Sequence, residues 1–194
     1  MGSMNIATGL LRLAFGLSVA SAALAETASE AQPEWFLLAG SGESHPGWGD
    51  TKVRVQTHDL ILRYRRPQDL TKGRGWYLNQ RSVLIEGAYH YLRSPNEPPM
   101  LGVYVQSCWT FEANKSLMPY IFMGGGGVYT QAEIHGTSSR LKGSYQLGGG
   151  MRFNLPRASI VLEYRYHHIS NGGIKEPNDP LNSGKLLIGL NIEQ

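Results

Sequence analysis

The chain has 194 residues, of which 18 are Lys or Arg and 15 are Asp or Glu, so its formal net charge is +3. That length suits one domain and is short for two. The basic excess is too small, and its Lys and Arg residues are too scattered, for a nucleic-acid-binding surface. Cys108 is the single cysteine, which excludes an internal disulfide framework and a thiolate metal site.

Residues 1–25 have the pattern of a cleaved export signal. Arg12 supplies a positive charge, residues 13–25 are uncharged, and Ala23-Leu24-Ala25 gives the small-x-small pattern that a signal peptidase needs. The apolar run is shorter than the roughly 20 residues of a membrane-spanning helix. A buried N-terminal helix is the alternative. We predict a signal peptide over 1–25 and one domain over 26–194.

The rest of the chain alternates apolar and polar residues and shows little helical periodicity, which predicts β-strands. Clusters of glycine, proline and asparagine separate eight such stretches. Their limits are predicted at about 34–43, 52–65, 76–93, 100–111, 118–131, 139–154, 158–170 and 184–192.

The last two predicted strands alternate most clearly. Four apolar side chains share one face in each strand: Ile160, Leu162, Tyr164 and Tyr166, and then Leu186, Ile188, Leu190 and Ile192. A soluble sandwich or a lipocalin-like barrel would produce the same pattern. An export signal, an even strand number and tyrosines near strand ends favour a membrane barrel, which leaves no unpaired edge in lipid. We therefore predict an all-β fold, an eight-stranded antiparallel transmembrane β-barrel of the bacterial outer membrane.

Two residues at the end of the seventh strand have the chemistry of a hydrolase. His168 and Ser170 are two positions apart, so both side chains leave the same face, which by the alternation is the lipid-directed one. A serine beside a histidine base is the minimum equipment for acyl transfer. Asn171 and the backbone amides of Gly172 and Gly173 follow directly and could receive a developing oxyanion. On spacing alone, an ordinary polar pair that leads into a loop remains an open alternative.

The segment from His168 to Asp179, HISNGGIKEPND, closely resembles the lipid A 3-O-deacylase (PagL) family, also described as acyloxyacyl hydrolase-like. The close match covers about the last 30 residues, and the strand Pro119–Gly127 agrees more loosely. The resemblance implies an outer-membrane serine esterase that removes the 3-O-linked acyl chain of lipid A, near the outer leaflet and without a cofactor. It implies Ser170 as nucleophile and His168 as general base. Its oxyanion hole would be formed by Asn171 and Gly173.

The sequence departs from the family at Asn182, where the family has a glutamate. An asparagine oxygen can hold an imidazole tautomer but cannot stabilise an imidazolium by charge. We predict that Asn182 orients His168 as the third catalytic residue, with Glu176 or Asp179 as substitutes from the loop. The alternative is a catalytically inactive outer-membrane barrel with a structural, adhesive or lipid-binding role.

Two glycine runs, Gly124–Gly127 and Gly148–Gly150, are about equally far from the turn near Gly136. They are predicted to lie side by side on adjacent strands. Such runs relieve crowding where a barrel curves, and the alternative is a groove below Ser170 that accepts an acyl chain. Neither run ends in the Gly-Lys-Ser/Thr of a phosphate-binding loop.

The remaining charged residues predict no second catalytic site. Glu86, Glu163 and Arg165 are expected to form a polar network in the barrel lumen. His167 and His168 point to opposite faces of a strand, and the other histidines lack ligand spacing, so we expect no metal.

Overall fold

The computed structural model describes residues 32–68, 80–94, 96–111 and 116–192. Eight antiparallel strands follow one another around a closed barrel, in which β1 pairs with β8. The strands are β1 (Glu34–Ser44), β2 (Gln56–Gln68), β3 (Gln80–Leu92), β4 (Met100–Thr110), β5 (Leu117–Thr130), β6 (Leu141–Leu155), β7 (Ala158–Ser170) and β8 (Leu181–Ile192). The predicted fold class is confirmed. The predicted signal peptide lies outside the described residues, which contain no helix long and apolar enough to cross a bilayer.

The observed strand limits differ from the prediction mainly at β2 and β8. β2 begins at Gln56 rather than near 52, and it continues past the predicted end at 65 through Pro67, which pairs with Ser82. A proline is tolerated there because it lies next to the end of the ladder. β8 begins at Leu181 rather than near 184, because its first residues pair with the end of β7. The predicted start of the third strand, 76–79, lies outside the described residues.

The barrel wall is apolar outside, and inside it a charged network lies among buried apolar side chains such as Leu38 and Ile61. Leucines such as Leu62 and Leu101 point outward and are each 50% exposed. In the lumen, the buried guanidinium of Arg63 contacts Glu86 at 2.6 Å and Glu163 at 2.7 Å. Arg165 contacts the same two carboxylates. The predicted polar network is confirmed, and the soluble sandwich and lipocalin-like alternatives are wrong, because both would bury the apolar face.

The two glycine runs occupy adjacent strands but different levels of the wall. Gly124 pairs with Gln146, and Gly148 pairs with Phe122. The prediction that the runs lie side by side is wrong, because the β5–β6 register is centred one residue before Gly136 and each partner shifts by two residues. The same register brings Gly127 beside Gly143, and Gly143 lies beside Ser170 of β7.

Candidate active site

The β7–β8 hairpin brings the three predicted catalytic residues to one patch of the outer wall. His168 is directly opposite Asn182 in the register. Ser170 ends β7 two residues further along and shares the outward face with His168, because side chains alternate along a strand. β8 begins at Leu181, so Asn182 lies within the strand and on this same face.

Hydrogen bonds connect the three side chains in a chain. The Oγ of Ser170 lies 3.0 Å from Nε2 of His168, and Nδ1 of His168 lies 2.6 Å from Oδ1 of Asn182. An amide oxygen only accepts, so Nδ1 carries the proton and donates it to Asn182. Nε2 is then left with a lone pair that accepts the serine hydroxyl proton. This is the tautomer that a general base requires.

Three further contacts hold Asn182, and one of them fixes the orientation of its side-chain amide. Its Nδ2 donates to the backbone oxygen of Trp48 at 2.7 Å, and its own backbone N–H donates to Oγ1 of Thr51 at 2.9 Å. The hydroxyl of Tyr166 donates to Oδ1 at 2.5 Å. Because Nδ2 faces a carbonyl oxygen, Oδ1 must face His168. The β1–β2 loop therefore determines which end of the amide the imidazole meets.

An aromatic ring covers the imidazole. Tyr145 is opposite His168 in the β6–β7 register, and the two rings stack with centroids 4.3 Å apart and planes 18° apart. Sequence reasoning did not single out Tyr145. The two-residue turn Pro156-Arg157 does predict it, since counting back equally from that turn pairs 145 with 168. For Trp48 and Thr51 the sequence carries no comparable signal, because they reach the site through a loop.

The loop after Ser170 brings Asn171 and Gly173 together. The two residues are hydrogen-bonded to each other, so the Gly173 N–H already has an acceptor. The Gly173 N–H donates to Oδ1 of Asn171 at 2.9 Å, and Nδ2 of Asn171 donates to the backbone oxygen of Lys175 at 2.5 Å. Gly172 and Gly173 have φ values of +68° and +76°, a conformation that favours glycine. The oxyanion hole stays a prediction, since it requires the Gly173 N–H to exchange its acceptor for the substrate oxygen.

The two loop carboxylates that could replace a third catalytic residue lie elsewhere. Asp179 forms an ion pair with Lys52 at 2.8 Å, and this hydrogen bond and its charge raise the pKa of Lys52. Glu176 is exposed. Within the described part of the chain, no contact joins either carboxylate to His168. Asn182 is the residue that meets the imidazole, and the Lys52–Asp179 pair ties the β1–β2 loop to the β7–β8 loop.

The fold and this patch define a small outer-membrane β-barrel with a Ser-His-Asn hydrogen-bonded chain on its lipid-facing wall. Residues 58–191 match the lipid A 3-O-deacylase (PagL) family. The chain belongs to that family, and its location is the bacterial outer membrane. The resemblance seen in the C-terminal motif is thereby confirmed over most of the barrel.

Solved structures agree on the fold. The crystal structure of the outer membrane enzyme PagL is 20% identical, with a TM-score of 0.53 over 80% of this chain and 97% of that one. The crystal structure of Neisserial surface protein A (NspA) is 11% identical, with a TM-score of 0.58 over 84% of this chain and 100% of that one. At these identities the likeness concerns the barrel alone. No curated protein matches the chain.

Proposed function

We propose that this protein is a serine esterase that removes the 3-O-linked acyl chain of lipid A. The observation that carries the proposal is the hydrogen-bonded chain from Ser170 through His168 to Asn182, on the lipid side of the barrel. Membership of the deacylase family supports the substrate class. Outward tyrosines surround the patch, as is typical of a membrane–water interface, where ester bonds of a lipid lie.

In the proposed reaction, Nε2 of His168 takes the hydroxyl proton while Oγ of Ser170 bonds to the ester carbonyl carbon. The tetrahedral intermediate then collapses, the bond to the sugar oxygen breaks, and the imidazolium returns its proton to that oxygen. The product is an acyl-serine and a free sugar hydroxyl. Water repeats the sequence on the acyl-serine, which releases the fatty acid and restores Ser170.

Charge stabilisation is the weak point of this arrangement. The imidazolium that forms in each step faces a neutral amide, so Asn182 orients the ring without a countercharge. The stacked ring of Tyr145 offers its electron-rich face to the same cation. The absence of the family's glutamate also favours a second candidate function, an inactive barrel with a structural, adhesive or lipid-binding role.

The wall beside the serine has room for an acyl chain. A side-chain Cβ placed on Gly143 would meet its nearest neighbouring atom at 3.7 Å, and one on Gly127 at 3.8 Å. Both glycines face outward in the row that begins at Ser170. This open strip supports the alternative of an acyl groove, although it is built from Gly127 and Gly143 rather than from two aligned glycine runs.

Mass spectrometry of lipid A tests the proposal. Cells expressing the wild type are expected to lose one hydroxyacyl mass from lipid A, whereas cells expressing Ser170→Ala keep it. If neither protein changes the lipid while both fold as heat-modifiable barrels, the inactive-barrel candidate is correct.

A further inference from the structure

A groove of about 300 Å³ lies on the outer wall, where β7, β8, β1 and β2 approach the same rim as Ser170 and Arg93 follows the end of β3. One side consists of Tyr164 and Leu186, and the other includes His58 and Arg93. Ser41 and Gly184, which have a small side chain or none, form the floor between these sides. The groove is separate from the predicted catalytic residues, none of which lines it.

From the rim toward the middle of the wall, the outward side chains change from charged to apolar, as a lipid changes from its headgroup to its acyl chains. At the rim, Gly184 pairs with Glu43, which pairs with Gln56, whose backbone oxygen accepts the Arg93 N–H. The next outward row consists of Leu186, Ser41 and His58, and the row below it of Ile188, Ala39 and Leu60. Charged groups therefore lie at the rim, and apolar groups with a narrow floor of Ser41 and Ala39 lie toward the middle of the wall.

The charge that remains available at the rim is positive. Within the described residues, Arg93 has no carboxylate partner and makes one side-chain bond, to Oε1 of Gln56 at 3.3 Å. Glu43 lines the groove too, but its carboxylate already has two partners: Arg54 contacts it at 3.1 Å, and Nε2 of Gln56 donates to it at 2.5 Å. A guanidinium with free donors binds phosphate oxygens well. His58 adds a ring nitrogen one row below.

We propose that this groove binds a phosphorylated lipid of the outer leaflet, with its phosphate at Arg93 and His58. An acyl chain of the lipid lies over Ala39 and Ser41, between Leu186 and Leu60. A headgroup without an acyl chain would leave uncovered the apolar strip of wall directly below the groove, where Ala39 lies between Ile188 and Leu60, which is why the occupant is a lipid. The site requires no ester cleavage, so it goes beyond the proposed esterase.

Lipid binding to the Ser170→Ala barrel tests the proposal without turnover. Native mass spectrometry in detergent micelles would measure retention of bisphosphorylated lipid A and of its dephosphorylated analogue. The test variant combines Arg93→Gln with His58→Gln. The matched control is Arg140→Gln, which removes an exposed arginine from the β5–β6 loop, outside the groove.

The expected result is that the Ser170→Ala barrel retains the phosphorylated lipid in preference to its dephosphorylated analogue. The test variant should weaken this preference about tenfold, which corresponds to one charge-assisted hydrogen bond. Arg140→Gln should leave the preference unchanged. Equal retention of the two lipids, or equal retention by the test and control variants, overturns the site. Complete displacement of the lipid by millimolar inorganic phosphate would mean that the acyl chain contributes nothing to binding, and it overturns the lipid occupant. Loss of lipid A hydrolysis would concern the esterase and leaves these outcomes unchanged.

Discussion

Replacing Asn182 with glutamate tests the position at which the sequence departs from the motif that it resembles. Asn182 gives His168 a neutral acceptor at 2.6 Å. A carboxylate would form a charge-assisted bond, which contributes about 1.5–3 kcal/mol against about 0.5–1.5 for a neutral one. The change also removes the bond from Nδ2 to Trp48, made at 2.7 Å and worth about 1 kcal/mol. We therefore expect an acyl-transfer rate between the wild-type value and about tenfold above it.

The assay is kcat/KM for lipid A hydrolysis by the purified barrel in detergent micelles. Asn182→Gln is the matched control, because it has the length of glutamate without the charge. A gain with Asn182→Glu and a loss with Asn182→Gln would assign the effect to charge. An Asn182→Glu barrel that folds, as judged by heat-modifiable migration, and has no activity would refute the assignment of Asn182 as the partner of His168.

Four further predictions concern the surroundings of the site and the lumen. Tyr145→Leu should lower kcat by about two- to tenfold and Tyr145→Phe should not, since the ring face is what stabilises the imidazolium; equal losses would contradict this. Thr51→Ala removes an acceptor from Asn182 and should lower kcat/KM about fivefold, with activity restored in Thr51→Ser. Gly127→Leu should shift hydrolysis toward shorter acyl chains in a barrel that still folds, and an unchanged preference would dispose of the acyl groove. Glu163→Gln leaves two buried guanidinium groups short of a countercharge and should destabilise the barrel by about 3 kcal/mol or more, seen as a lower urea midpoint.

The alternation of apolar and polar residues predicted the strands, and the export signal, the even strand number and the tyrosines near strand ends were needed to predict a membrane barrel. β7 has the predicted limits because both of its ends are marked, by Pro156 and by the Asn171-Gly172-Gly173 turn. β8 was predicted to begin too late, because Asn182 and Ser183 have the composition of a loop. Their pairing with His168 and His167 makes them strand, and that pairing depends on the partner rather than on local sequence.

In the candidate site, too, the contacts within one strand could be predicted from the sequence and the contacts made through loops could not. Ser170 and His168 are neighbours on one strand, so their common face follows from the period of two. The partner of Asn182 in the β1–β2 loop lies more than a hundred residues away along the chain, and nothing in the sequence connects them. The register of the β5–β6 hairpin was also missed, because a ten-residue loop fixes its centre less tightly than the two-residue turn between β6 and β7.

This division indicates where control of the proposed chemistry lies. The nucleophile and base are held by strand pairing, which the closed barrel maintains whatever the loops do. The orientation of the Asn182 amide depends instead on the β1–β2 loop, chiefly on the carbonyl oxygen of Trp48, and Lys52 and Asp179 connect that loop to the β7–β8 loop. If Asn182 turned its amide end over, Nδ2 would face the Nδ1–H of His168, two donors would meet, and the base would lose its tautomer. A glutamate at this position, with two equivalent oxygens, would have no such wrong orientation, so the Asn182 arrangement requires the β1–β2 loop for a task that a carboxylate would perform alone.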